Sequence, residues 1–327
     1  MKHHYWEAPI VLYLFLGGLG GGIFFLSMVF DLIVAPGSGP LFFAPVFFAL
    51  AALALGCFFL VFELGQPPVF WRVFTTKTAI IKWGAVLLSF AMIFGFVWWL
   101  SYLYLLGWGE WTLGLASALE GARPVLLGIA GVCGFGIMVY TGVMLSTLKA
   151  HAFWATPALP VLFTISALST ACAAIALSLG GAVEAGGFGL VVEELIHGIV
   201  HVVDVVLVIA EIVVLLIMVL SFYGAGNVTA RAVAVRWVRG RTAPLFWGGM
   251  IGAGLVLPLL LYIFGEGTAA SALVAPILVR CGGLLLRYLC VYSDERAPIP
   301  GEERFYARLP KKDAEFLTAW KQGENRY

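Results

Sequence analysis

Of the chain's 327 residues, 62% are hydrophobic and only 11% are charged, and the mean hydropathy is +1.01. A soluble domain carries roughly 25% charged residues, so an ordinary water-soluble protein is excluded. The net charge of +1 says nothing about nucleic acid, but no basic patch points to a nucleic-acid partner.

Apolar runs long enough to cross a ~30 Å hydrocarbon layer as helices recur along nearly the whole chain. They do not alternate as the ~10-residue strands of a membrane barrel would. The expected fold is an all-α integral membrane protein of about eight transmembrane helices in two four-helix bundles. Spans are expected at about 8–34, 41–64, 80–106 and 124–148 for the first bundle, which covers about 8–148. Spans at about 157–180, 196–222, 245–265 and 272–292 make the second, which covers about 157–292. Residues 293–327 turn polar and form an expected extramembrane tail. The first stretch is long and lacks a small-residue cleavage site, which reads as a span rather than a cleaved signal.

The breaks between spans are chemically sensible. Ala35-Pro36-Gly37-Ser38-Gly39-Pro40 is a tight turn. Gln66-Pro67-Pro68 ends the second helix, because proline cannot continue it. Glu120-Gly121-Ala122-Arg123-Pro124 opens the fourth span, and Thr156-Pro157 opens the fifth. The run Gly17-Gly18-Leu19-Gly20-Gly21-Gly22 follows no strand, so close helix packing explains it better than dinucleotide binding.

Lys2, Arg72, Lys77, Lys82, Lys149, Arg231, Arg236, Arg239 and Arg241 fall on the N-terminal side. The other side holds Arg123 with Glu110, Glu120, Glu184, Glu193, Glu194 and Glu266. The positive-inside rule then places both termini in the cytoplasm. A basic face can equally be a docking surface for a partner.

The five cysteines, Cys57, Cys133, Cys172, Cys281 and Cys290, lie in apolar segments without a CxxC. They are expected as buried small hydrophobes, with neither an iron–sulfur cluster nor a disulfide. The histidines are His3, His4, His151, His197 and His201. They do not supply the facing axial pairs of a dihaem cytochrome, and no metal site is expected.

Charges within spans are functional candidates, because lipid makes them expensive. Four stand out: Glu63, Asp204, Glu211 and Arg287. In span six, His197, His201, Asp204 and Glu211 lie within about 80° of one another on a helix and rise ~21 Å. That stripe should face the bundle interior, either as a proton relay or as charges paired for assembly. Parity of the spans sets Tyr13, Glu63, Tyr140 and Arg287 toward one membrane side, with Glu211, Asp204, His201 and His197 stepping toward the other. Tyrosine hydroxyls and a carboxylate can hydrogen-bond the two oxygens of a quinone, and the carboxylate can take the proton that a quinol releases. Each tyrosine taken singly is equally an interfacial belt residue, although Tyr140 lies deeper than a belt reaches.

Four motifs then stand in order. These are Tyr13-Leu14-Phe15-Leu16-Gly17-Gly18, Phe62-Glu63-Leu64-Gly65-Gln66-Pro67 and Gly282-Gly283-Leu284-Leu285-Leu286-Arg287-Tyr288. Between the last two lies Tyr140-Thr141-Gly142-Val143-Met144-Leu145-Ser146, followed by Lys149-Ala150-His151-Ala152-Phe153-Trp154 and Pro157-Ala158-Leu159-Pro160. The sequence resembles the NrfD/PsrC family of membrane subunits of polysulfide reductase-like respiratory complexes, over about residues 5–292. The resemblance implies eight helices, no haem, and a quinone pocket for menaquinone or ubiquinone in the first bundle. It implies electron exchange between the quinone pool and a ferredoxin-like iron–sulfur partner subunit, often with a molybdopterin subunit beyond, at a prokaryotic inner membrane. It assigns Tyr13, Glu63 and Tyr140 to the quinone region, and Asp204, Glu211 and Arg287 to proton handling; the span-six stripe itself offers the path Glu211–Asp204–His201. Glu63 stands where the family more often has Asp, and Gln66-Pro67-Pro68 replaces the usual basic residue. Partner subunits of the family are often periplasmic, whereas the charge rule puts the Tyr13 cluster on the cytoplasmic side. Two rivals fit the same residues: a proton-coupled secondary transporter, although no internal repeat is evident, and a purely structural anchor.

Overall fold

The computed structural model describes residues 8–63, 75, 79–179, 190–224, 227–265, 268 and 270–295. Contacts divide the protein between Glu295 and Arg296, and residues 296–327 of the expected tail lie outside the described residues. So do the Glu63 side chain, Arg72, Lys77, Glu184, Glu266 and the Gln66-Pro67-Pro68 segment.

Among the described residues, eight helices are long and apolar enough to cross a membrane, and the protein is a multi-pass membrane protein. The first bundle consists of α1 (Ala8–Val29), α2 (Phe43–Glu63), α3 (Ile80–Leu100) and α5 (Arg123–Ser146). The short α4 (Glu110–Leu119) leads into α5 through a bend at Glu120–Ala122. The second group is α6 (Ala158–Leu179), α7 (Leu190–Gly224), a π-helical stretch Leu245–Val256 continued by α9 (Leu257–Phe264), and α10 (Ala275–Val291). A surface helix, α8 (Val228–Arg239), joins α7 to the seventh span.

Helix α1 is central and packs against α2, α5, α6 and α10. Its glycines explain how one helix can have so many neighbours. A Cβ at Gly20 would strike Leu53 and the Ala49 carbonyl of α2, one at Gly21 the Gly134 carbonyl of α5, and one at Gly22 Ala171 and the Ala167 carbonyl of α6. Three successive residues thus meet three different helices at backbone distance, as small residues allow in membranes.

The turn after α1 follows the sequence expectation. Gly37 sits at φ +89°, a conformation that side chains disfavour, and Ser38 N–H donates to Ala35 O at 3.1 Å. The turn also shields Asp31, which is 7% exposed and was not among the four charges singled out above. Arg123 is a clamp on the same side. It donates to Ser101 O at 3.0 Å and Ala116 O at 3.2 Å, and its guanidinium lies 4.4 Å over the Tyr102 ring.

The motif at the α5–α6 junction is built for packing. A Cβ on Gly142 would overlap the Pro160 backbone, so α5 and α6 close as a tight pair. Trp154 is fully buried, and its indole N–H donates to Cys290 O at 2.7 Å. That bond ties the turn to the end of α10.

Helix α7 has 35 residues, which is ~52 Å at helical rise and well beyond the ~30 Å hydrocarbon layer. Val202, Val206, Ile209, Val213, Ile217 and Leu220 are exposed at steps of three and four, a lipid-facing stripe. Asp204, Val208, Glu211 and Leu215 are buried on the opposite face.

Candidate functional site

The structure brings Tyr13 and Tyr140 together. Both line a cavity of about 170 Å³ between α1, α2, α3 and α5, with Cys57, Leu60, Ile81 and Leu88 among its walls. Tyr13 is 3% and Tyr140 7% exposed, so Tyr140 is a core residue rather than a belt residue. The Tyr140 hydroxyl donates to the Met144 sulfur at 3.4 Å, a weak acceptor. Gly84 of α3 makes room for it, since a Cβ there would lie 2.7 Å from the Tyr140 hydroxyl and closer still to the ring. Glu63 ends α2 two residues beyond Val61, which lines the cavity.

Arg287 is not in that cavity. It lies on the other face of α1, fully buried between α1, α6 and α10. The guanidinium sits 5.8 Å from the Phe15 ring and 5.2 Å from the Phe163 ring. Nη1 donates to Ser166 Oγ at 2.7 Å and to Gly283 O at 2.9 Å, and Nη2 to Phe163 O at 3.3 Å. Nε has no partner. The glycine pair of the last motif serves this site: Gly283 leaves space beside Arg287 and Ser166, and Gly282 meets Gly254 of the π-helical stretch.

The span-six stripe grades from outside to inside. Asp204 and Glu211 are 1% and 3% exposed, His201 is half-buried and His197 is exposed. His197, at the outer end of the stripe, is exposed and lines the same cavity as His201 and Asp204. Asp204 is held at both oxygens, by Ser169 Oγ–H at 2.7 Å and Tyr262 O–H at 2.8 Å. Its carboxylate lies at the inner wall of a vestibule of about 720 Å³ also lined by Glu194, His197, His201, Tyr262, Thr268 and Ser271. The His201 ring meets Tyr262 edge-on at 4.9 Å.

Deeper along α7, the Glu211 carboxylate faces Ser166. One hydroxyl can accept from Arg287 and donate to Glu211, so Arg287 and Glu211 attract each other across Ser166. Sequence reasoning missed Ser166, Ser169 and Tyr262. The first two stand three apart on one face of span five, opposite the charged stripe, and that spacing was the available signal.

The family model described as "Polysulphide reductase, NrfD" matches residues 1–294. The protein is 28% identical to the C component of the polysulfide reductase of Wolinella succinogenes, over 89% of this sequence and 94% of that one. It is 26% identical to protein NrfD of Escherichia coli, over 89% and 95%. Its identity to the C component of the selenate reductase of Mesobacillus selenatarsenatis is also 26%, over 90% of this sequence and 74% of that one. Matched over nearly its whole described length, this protein belongs to the NrfD polysulphide reductase family.

Proposed function

We propose that this protein is the membrane subunit of a respiratory reductase complex that exchanges electrons between the quinone pool and an iron–sulfur partner subunit. The observation that carries this reading is the Tyr13–Tyr140 cavity. Its walls are apolar and two phenolic hydroxyls line it, which suits a ring with two oxygens. At about 170 Å³ it is smaller than the ~300 Å³ of drug-sized pockets. It takes a quinone headgroup and leaves an isoprenoid tail to the lipid, beside exposed Leu55 and Phe58 of α2. The matched relatives named for polysulfide and selenate reductases support a place in such a complex.

In this reading Tyr13 and Tyr140 orient the headgroup. Glu63, at the end of α2, takes or gives its proton. Asp204, fixed by Ser169 and Tyr262 at the vestibule wall, exchanges protons with the opposite side, and Glu211 stands between Asp204 and Arg287. Terminal chemistry belongs to partners, with a molybdopterin or other catalytic subunit beyond the iron–sulfur one.

The test is quinol-dependent electron transfer in membranes carrying the full complex. Tyr13→Phe and Tyr140→Phe should each raise the KM for a short-chain quinol by roughly tenfold, the loss of one hydrogen bond of ~1.4 kcal/mol. Unchanged kinetics in the double variant would remove the quinone from this cavity.

A further inference from the structure

Helix α8 presents two different faces. Ala230, Val233, Ala234 and Trp237 are buried against the body. Trp237 donates to Ser293 Oγ at 2.9 Å, and Arg236 pairs with Glu295 and reaches Tyr292 O at 3.2 Å. Asn227 caps the first turn by accepting from Thr229 N–H at 3.0 Å. The helix is therefore held by one side and cannot roll.

Its outer face reads Val228, Arg231, Val235, Arg239, all exposed, with exposed Arg241 just past its end. Val228 is 82% exposed. No acidic group among the described residues pairs with Arg231, Arg239 or Arg241. The position of the helix fixes its surroundings. Span six ends at Gly224 and span seven begins at Leu245, so α8 is tethered to the bilayer at both ends by a few residues. It lies at the level of the headgroups, on the side where the positive charge of the protein gathers. Trp247, at the start of span seven, is 47% exposed and donates its indole N–H to Val238 O at 3.1 Å, an interfacial placement.

We propose that the outer face of α8, with Arg241, is a binding surface for anionic phospholipid headgroups. Arginine forks bind phosphate oxygens bidentately. Val228 and Val235, interleaved with the arginines along this face, enter the headgroup–acyl boundary, as the apolar positions of an interfacial helix do. A soluble protein partner would bury the valines but would require acidic groups of its own at the membrane plane. Anionic lipid is already there and supplies both the charge and the apolar boundary.

The test uses the full-length protein, purified in mild detergent and equilibrated with mixed micelles of phosphatidylglycerol and phosphatidylcholine. Native mass spectrometry reads the lipid that stays bound. Wild type should retain phosphatidylglycerol preferentially. The triple variant R231Q/R239Q/R241Q should retain less by on the order of tenfold or more, since each basic residue near an anionic surface contributes several-fold. The charge-keeping variant R231K/R239K/R241K, with the same thermal midpoint as the Gln variant, should keep most of the preference. Equal phosphatidylglycerol retention by the Gln variant and wild type overturns the proposal. Loss of a co-purifying protein subunit from that variant with lipid retention intact does so too, and assigns the face to the protein partner.

Discussion

Ser166 Oγ accepts from Arg287 Nη1 at 2.7 Å, and the charge of Arg287 attracts the buried Glu211 of α7. Removing the cation leaves Glu211 without its counter-charge. Arg287→Gln should lower stability by ~3 kcal/mol, the usual scale for breaking a buried pair from one side. Arg287→Lys should recover little, because one ammonium cannot serve Ser166, Gly283 O and Phe163 O from a planar fork. Thermal unfolding in detergent decides this, and a wild-type midpoint for Arg287→Gln would contradict the arrangement.

Asp204 depends on two donors from two helices. Tyr262→Phe and Ser169→Ala each delete one bond to the carboxylate, worth about 1.5–3 kcal/mol if it is ionised. The double variant should show coupling, since both donors serve one group. On the proton-path reading, proteoliposomes with Tyr262→Phe should lose proton movement before electron transfer. Equal loss of both would assign Tyr262 a structural role alone.

Gly84 sets the size of the cavity. Gly84→Ala forces the Tyr140 ring to shift, an overpacking of the kind that costs ~1–3 kcal/mol. It should raise the quinol KM as strongly as Tyr140→Phe while the headgroup chemistry of Tyr13 is untouched. A smaller neighbour on the cavity wall, such as Leu88→Ala one turn further along α3, should partly restore it. Steady-state kinetics with the paired variants reads this directly.

Tyr102, between the third and fourth spans, has its phenol pushed up to about 12, by burial first and then by the Asp31 charge. A phenol whose folded value is raised holds its proton while the unfolded polypeptide releases it. Its stability contribution is therefore intact below pH 10 and is lost between pH 10 and 12. The slope is about 1.4 kcal/mol per pH unit over that window. Tyr102→Phe should flatten the alkaline fall in the thermal midpoint across the same window. An identical fall would assign the alkaline loss to other tyrosines.

Apolar run length and proline placement carry the fold in the sequence, and the eight spans follow from them. The ends were less legible. Helix α4 and the length of α7 depend on contacts beyond the apolar layer, where hydropathy stops being informative. The amphipathic α8 has ordinary composition, and its place is set by Trp237 and Arg236 reaching residues 56 to 59 positions away. Tyr13 and Tyr140 could be paired by counting parity, because depth in a membrane follows from position in a span. Which face of α1 Arg287 takes could not, because parity gives depth and not azimuth. The hydroxyl partners of Asp204 and Arg287 were illegible one by one, since serine in a membrane helix usually bonds its own backbone, as Ser178 does at 2.9 Å.

Gly20, Gly21 and Gly22 each meet a different helix, and that arrangement works as a key in a lock. A helix keyed on three sides cannot turn about its axis without collision. A push on Tyr13 from the cavity must then move α1 bodily, and Phe15 and Gly18 beside Arg287 move with it. The two halves of the molecule thus share one stiff rod, packed without slack against both.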